Sequence, residues 1–292
     1  MSPPILMTQS ADLDAAIRAV PSQRWSQWLN ANGSLEVNGS VPMGPGRLVR
    51  LVRTDGASEQ YATCLAWGAD RRPVAIVQSS DGRRVLGDGI ENAEVRDALY
   101  AFALRGSDRE DETIRLQPSA TGERSPGMIP ASRVESLYEV DYDGTARLEL
   151  FSPLAAVEPI EVSIARHLTR ARCPYVEPLL AVLTVRDLET DATFFLGTLK
   201  GRHDKPVAGV RAFRAELVPG ELTDRARSLG RQLSELHHTL ADESSLHFAP
   251  RPITDEMVDG WRDALNSSAT VACDKSLSKG PICIALEQLV AG

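Results

Sequence analysis

Apolar and polar positions alternate along the front of the chain at two different spacings. Between Asp12 and Asn30 the apolar residues recur three and four apart, with Trp25 and Trp28 on one face, and this predicts a helix broken at Pro21. From Gly46 to Thr54 the spacing shortens, with Leu48, Val49, Leu51 and Val52 set between arginines. Glu59 to Trp67, Pro73 to Gln78 and Arg83 to Leu86 follow, divided by the turns Asp55-Gly56 and Asp81-Gly82. Short runs joined by Asp-Gly turns predict an antiparallel meander. A helix is expected from about Glu91 to Leu104, carrying Val95, Leu99, Phe102 and Ala103 at helical spacing.

Two polar stretches then interrupt the pattern. Arg105 to Glu112 is charged and turn-rich, and Pro118 to Pro130 is rich in Pro, Gly and Ser, which makes residues 118–131 a linker. Beyond it, strands are expected at Ser132–Val140 and Thr145–Phe151 around the turn Asp141-Tyr142-Asp143-Gly144. A helix follows from about Glu158 to Ala171, with Ile160, Ile164 and Leu168 on one face. A second strand pair, Pro178–Val185 and Thr193–Leu199, closes the segment. The order strand, strand, helix, strand, strand is similar to that of the small lobe of protein-kinase-like enzymes. Leu222, Ala226, Leu229, Leu233, Leu236 and Leu240 form one apolar stripe on a long helix. Another helix is expected to open at Thr254-Asp255-Glu256, and residues after Ala272 carry no clear pattern.

Composition narrows the function classes. With 292 residues, 42% of them hydrophobic and 25% charged, the chain is long enough for a sizeable core. A formal net charge of -8 and the lack of a Lys/Arg stripe argue against a nucleic-acid partner. The cysteines, Cys64, Cys173, Cys273 and Cys283, form no CxxC pair and stand beside no histidine cluster, so no metal site is expected. No run approaches the length of a membrane span, and no signal-peptide pattern opens the chain, so a cytoplasmic protein without a membrane partner is expected.

Several segments, in order, carry a resemblance. They are Gln23-Arg24-Trp25, Leu148-Glu149-Leu150-Phe151, Pro159-Ile160-Glu161-Val162, Leu229-Gly230-Arg231-Gln232-Leu233-Ser234-Glu235-Leu236-His237 and Phe248-Ala249-Pro250-Arg251-Pro252. Together they resemble the bacterial maltokinases and glucosamine kinases of the aminoglycoside-phosphotransferase-like family, over residues from about 12 to 265. The resemblance implies an α+β fold: an N-terminal cap domain at 1–117 with a curved antiparallel sheet and helices, the linker at 118–131, a kinase-like small lobe at 132–202, and a helical remnant of an incomplete large lobe at 203–292.

The chemistry that such a fold performs needs a strand Lys on the nucleotide phosphates, a helix Glu orienting it, a catalytic-loop Asp and a Mg²⁺-binding Asp. Glu149 stands at the position that matches the family's lysine, and a carboxylate there repels phosphate; its other reading is a solvent-facing strand residue without a role. Glu161 matches the helix Glu. Lys200, in the hinge-like segment Leu199-Lys200-Gly201-Arg202, is either a substitute cation or a solvated loop lysine. The phosphate-loop segment, Ser136 to Asp141, is acidic, with Glu139 and Asp141 followed by Asp143. No histidine is followed by Gly-Asp, His203-Asp204 being the nearest approach, so no catalytic residue is assigned.

The expected function is therefore that of a maltokinase-like protein without catalysis, a pseudokinase acting as regulator or interaction partner in trehalose, glycogen or sugar metabolism, with no cofactor. The alternative is part of an ATP-dependent sugar kinase, or a divergent one, phosphorylating maltose or glucosamine with ATP and Mg. Because the cap domain of such enzymes can associate with trehalose synthase, the resemblance implies that enzyme, or a separate catalytic half, as a protein partner, beside a sugar ligand.

Overall fold

The computed structural model describes residues 3–7, 12–69, 71–79, 82–105, 108–120, 130–136, 138–202 and 219–241, with isolated positions between 254 and 262. The chain divides into two compact units, Met1–Thr239 and Leu240–Gly292. The expected zinc-free cysteines Cys273 and Cys283, the His203-Asp204 pair, the segment 248–252 and most of the expected linker and large-lobe remnant lie outside the described residues.

The first unit opens with the short strand β1 (Ile5–Met7) and the helices α1 (Leu13–Ala19) and α2 (Ser22–Leu29). Asp12 caps α1 by accepting from the amide of Asp14, and Pro21 starts α2, so the predicted helix is broken where proline was expected to break it. Trp25, Trp28 and Leu29 are buried, the two indoles edge-to-face at 6.3 Å. Five strands follow: β2 (Leu35–Met43), β3 (Gly46–Arg53), β4 (Gln60–Trp67), β5 (Pro73–Ser79) and β6 (Gly82–Asp88). The sheet order is β1-β5-β6-β4-β3-β2, so β6 inserts between β4 and β5 and the meander expected from the turns is permuted at that edge. Its reason lies in β6 itself, which pairs through Gly82–Gly87 with β5 and through Leu86–Asp88 with β4.

A tight turn at Gly89–Glu91 leads into α3 (Ala93–Arg105), which buries Val95, Leu99, Phe102 and Ala103 as its spacing predicts. The second sheet comprises β7 (Arg109–Glu110), β8 (Ile114–Ala120), β9 (Arg133–Ser136), β10 (Glu139–Tyr142), β11 (Ala146–Ala155), β12 (Leu179–Asp187) and β13 (Thr193–Gly201), in the order β7-β8-β12-β13-β11-β10-β9. The run expected as one strand over Ser132–Val140 is thus two strands meeting at a turn. Residues Pro118–Ala120, at the head of the expected linker, belong to β8. One core joins the sheets: Val41, Leu48 and Cys64 of the first pack with α3 and with Leu148, Leu183 and Leu199 of the second. A buried ion pair crosses the same junction, Arg50 of β3 donating to Asp187 at the end of β12 over 2.6 Å.

Helix α4 (Ile160–Arg170) covers the other face of the second sheet. It turns Val162 and Ala165 onto Leu179, Val182 and Phe195, so the buried face differs from the expected one. Leu168 is buried, but Ile160 in the first turn is 58% exposed. Helix α5 (Pro219–Leu240) is the long helix predicted from the leucine stripe, and within the first unit Tyr175 donates to its Glu235. In the second unit Glu256, Asp259, Gly260 and Arg262 are helical, in line with a helix opening at Thr254. Among the described residues no helix is long and apolar enough to cross a membrane.

Candidate functional site

The alternation of β11 decides which side chains can do chemistry. Ala146 and Leu148 are buried in the shared core, so Arg147 and Glu149 stand on the opposite face of the sheet, the one that α4 covers in part. Strand register then selects their neighbours. Glu149 lies between Glu139 of β10 and Thr198 of β13, and Arg147 lies between Asp141 and Lys200. Like charges would thus face each other directly across the strands, an unfavourable arrangement. The side chains resolve it diagonally. Lys200 donates to Glu149 at 2.7 Å, and Arg147 reaches Glu139 at 3.3 Å, Glu149 at 3.1 Å and Glu177 at 2.9 Å. Arg202, just past β13, holds Asp141 at 2.5 Å.

Arg147, Lys200 and Arg202 are therefore each committed to a carboxylate. The pairs are half-buried, with side-chain exposures of 19% for Lys200 and 29% for Glu149, so each is worth more than a surface pair and less than a dry one. Three buried donors nevertheless lack a partner: Arg147 Nε, Arg202 Nε and Thr198 Oγ1, the last on a residue only 1% exposed. They lie between the ion pairs and leave some hydrogen-bonding capacity toward an acceptor-bearing ligand or water.

Of the three residues singled out from the sequence, the structure brings two together. Lys200 sits on β13, one residue before its end, with its amine on Glu149. Glu161 is in the first turn of α4, exposed, and forms no ion pair among the described residues. Arg147, Glu177 and Arg202 were not anticipated. For Arg147 the signal was present, because it is two residues before Glu149 on an alternating strand. For Glu177 and Arg202 it was not, because only the pairing of β12 and β13 with the rest of the sheet brings them there. The acidic phosphate-loop residues behave differently from one another: Glu139 and Asp141 join the network, whereas Asp143 is an exposed turn residue with φ 49°.

The cysteines add no chemistry to this face. Cys64 is fully buried in the core, where burial pushes its thiol well above the ordinary range, and Cys173 is free and half-buried. Among the described residues no group of three or more His, Cys, Asp and Glu side chains is placed to hold a metal ion.

No family model matches this chain. Among solved structures it is similar to a glucosamine kinase in complex with glucosamine, ADP and inorganic phosphate, at a TM-score of 0.58 and 15% identity over 97% of this chain. Glucosamine kinase in two further crystal forms matches at TM-scores of 0.56 and 0.54, with 16% and 15% identity. The fold is kinase-like. At this identity the likeness concerns the fold alone, and this chain spans about 63% of the length of the complexed glucosamine kinase. Within the kinase-like fold, the ion-paired face of the second sheet carries Glu149 and Lys200.

Proposed function

We propose that this chain is a sugar-kinase-like protein that does not catalyse phosphoryl transfer and acts as a regulator or interaction partner in sugar metabolism. The observation that carries the reading is the pairing of Lys200 with Glu149 at 2.7 Å while Arg147 and Arg202 are engaged by four carboxylates among them, those of Glu139, Glu149, Glu177 and Asp141. A nucleotide polyphosphate brings several negative charges. To bind there it would have to displace carboxylates from their cations, and the charge gained on one side would be lost on the other. Nothing in the set is a preformed phosphate cradle, so neither ATP nor Mg²⁺ is assigned to it. The sugar ligand and the protein partner, a trehalose synthase or a separate catalytic half, are carried as proposals on the resemblance to maltokinases. The boundaries 1–117, 118–131, 132–202 and 203–292 remain the proposed division into cap, linker, small lobe and large-lobe remnant.

A second reading, part of an ATP-dependent sugar kinase or a divergent one, is favoured by one observation. The solved structure whose fold this chain shares over 97% of its length holds ADP and glucosamine. In that reading Lys200 would exchange Glu149 for phosphate. Phosphoryl transfer from ATP to glucosamine and to maltose separates the two. The first reading predicts no product above the uncatalysed background. Turnover that Lys200→Ala abolishes would establish the second.

A further inference from the structure

A cavity of about 600 Å³ opens where α1, β2 and the turn between β7 and β8 meet, within the first unit and away from the ion-paired face. This volume is within the range of small-molecule sites. Its walls bring four carboxylates, Asp14, Glu110, Asp111 and Glu112, together with two guanidiniums, Arg18 and Arg47. A ligand of net negative charge is therefore disfavoured there.

Most of this wall is fixed by its own hydrogen bonds. Asp111 Oδ1 accepts from the amides of Thr113 and Ile114 at 2.7 Å each and from Thr113 Oγ1 at 3.0 Å, and its Oδ2 accepts from the Ser40 amide at 2.8 Å, which ties the turn to β2. Asp14 accepts from Ser40 Oγ at 3.0 Å and pairs with Arg47, which ties α1 to β2 and β3. Arg115 holds Glu110 at 2.6 Å. Carboxylates engaged in this way keep lone pairs for a further donor, yet they do not form the open oxygen cage that a bare cation needs.

Asn38 is the decisive residue. Val37 pairs with Leu51 and Gly39 with Arg50, so Asn38 is the extra residue of a β-bulge, a device by which a strand re-aims one side chain. It lines the cavity, half-buried, and among the described residues its side-chain amide forms no hydrogen bond. The side chains of Arg18 and Glu112, exposed on α1 and on the turn, likewise form no hydrogen bond or ion pair among the described residues. A fixed wall thus carries one unspent amide, one unspent guanidinium and one unspent carboxylate. A hydroxyl both donates and accepts, so a ligand dense in hydroxyls satisfies all three together: it donates to Glu112 and to the spare lone pairs of Asp14 and Asp111, and it accepts from Arg18 and Asn38.

We propose that this cavity binds a neutral saccharide. The inference gives the sugar ligand of the proposed function a place, and in that respect rests on that reading. It uses no residue of β10, β11 or β13, so the two fail separately.

The test is a calorimetric titration of the full chain with glucose, maltose and glucose 6-phosphate at constant ionic strength. Saturable binding of glucose or maltose with a Kd below about 10 mM is expected, and binding of glucose 6-phosphate at least about tenfold weaker. Arg18→Ala and Glu112→Ala each weaken saccharide binding by about tenfold. Both side chains are exposed, so the unliganded melting temperature stays unchanged. Absence of saturable binding by both neutral sugars overturns the proposal, and so does saccharide binding that both variants leave intact. Glucose 6-phosphate binding as tightly as glucose overturns the neutral class of ligand. Lack of saccharide binding leaves the non-catalytic reading standing, whereas turnover of ATP that Lys200→Ala abolishes defeats that reading and leaves this site untouched.

Discussion

Lys200 and Glu149 are 51 positions apart, and only the pairing of β11 with β13 brings the amine onto the carboxylate. The substitution of an acid for the expected lysine was legible in the sequence, since one alternating strand gives the register of its own residues. The cation that answers it was not, because antiparallel pairing is a tertiary fact. Both groups are part-exposed, so their coupling is modest. A double-mutant cycle of Lys200→Met and Glu149→Gln in urea unfolding is expected to give about 0.5–1 kcal/mol. A coupling near zero would mean that the pair does not hold. Asp88 is a second residue with a clear consequence. Burial pushes its carboxyl up to about 6, against the hydrogen bond from the Ile90 amide and the charge of Arg72. This value lies above the ordinary 3.8, so the folded chain holds the proton more tightly than the unfolded one. The charge costs nothing below about pH 4, and its cost grows up to about pH 6 and persists above it, reaching about 3 kcal/mol at most. Asp88→Asn is therefore expected to raise the urea midpoint at pH 7.5 and to leave it nearly unchanged at pH 4. A variant less stable than the parent at pH 7.5 would refute this.

Elements whose apolar pattern is uninterrupted were readable from the sequence: α1, α2, α3, β3, β4 and β5 fall where they were expected. Among the strands that went unread, β2 and β8 have a chemistry that imitates loop. β2 contains Asn38-Gly39 and Pro42 and carries a bulge between Val37 and Gly39. Gly39 is there for space, since a Cβ would lie 2.4 Å from Thr113 Oγ1. β8 runs through Pro118, tolerated because β7 pairs only with Arg115 and Leu116 and, among the described residues, no other strand pairs with that edge. Pairing with β12, from Ile114 with Asp187 to Ala120 with Ala181, makes β8 a strand despite its composition. The hairpin between β10 and β11 was readable, and Asp143 and Gly144 there have φ of 49° and 68°. No atom crowds a Cβ at Gly144, so Gly144→Ala measures the backbone cost alone, expected as a loss of about 1 kcal/mol in urea unfolding.

At the scale of the whole molecule, the two sheets are joined by a shared core and by the pair between Arg50 and Asp187. Burial pushes the Asp187 carboxyl up, but the hydrogen bond from Arg50 and the amides of Thr190 and Glu189 outweigh it and hold it below the usual range. Arg50→Met strands a largely buried carboxylate and is expected to cost about 3 kcal/mol of unfolding free energy, part of which Asp187→Asn recovers in the double variant. This junction sets the second sheet against the first, with its ion-paired face turned away from the shared core. In this kinase-like fold, Arg147, Lys200 and Arg202 of that face are already neutralised by carboxylates. Titration calorimetry of Mg·ATP tests this most directly. The account predicts no saturable heat up to about 1 mM nucleotide. Saturable binding with a Kd below about 100 µM that Lys200→Ala removes would contradict it.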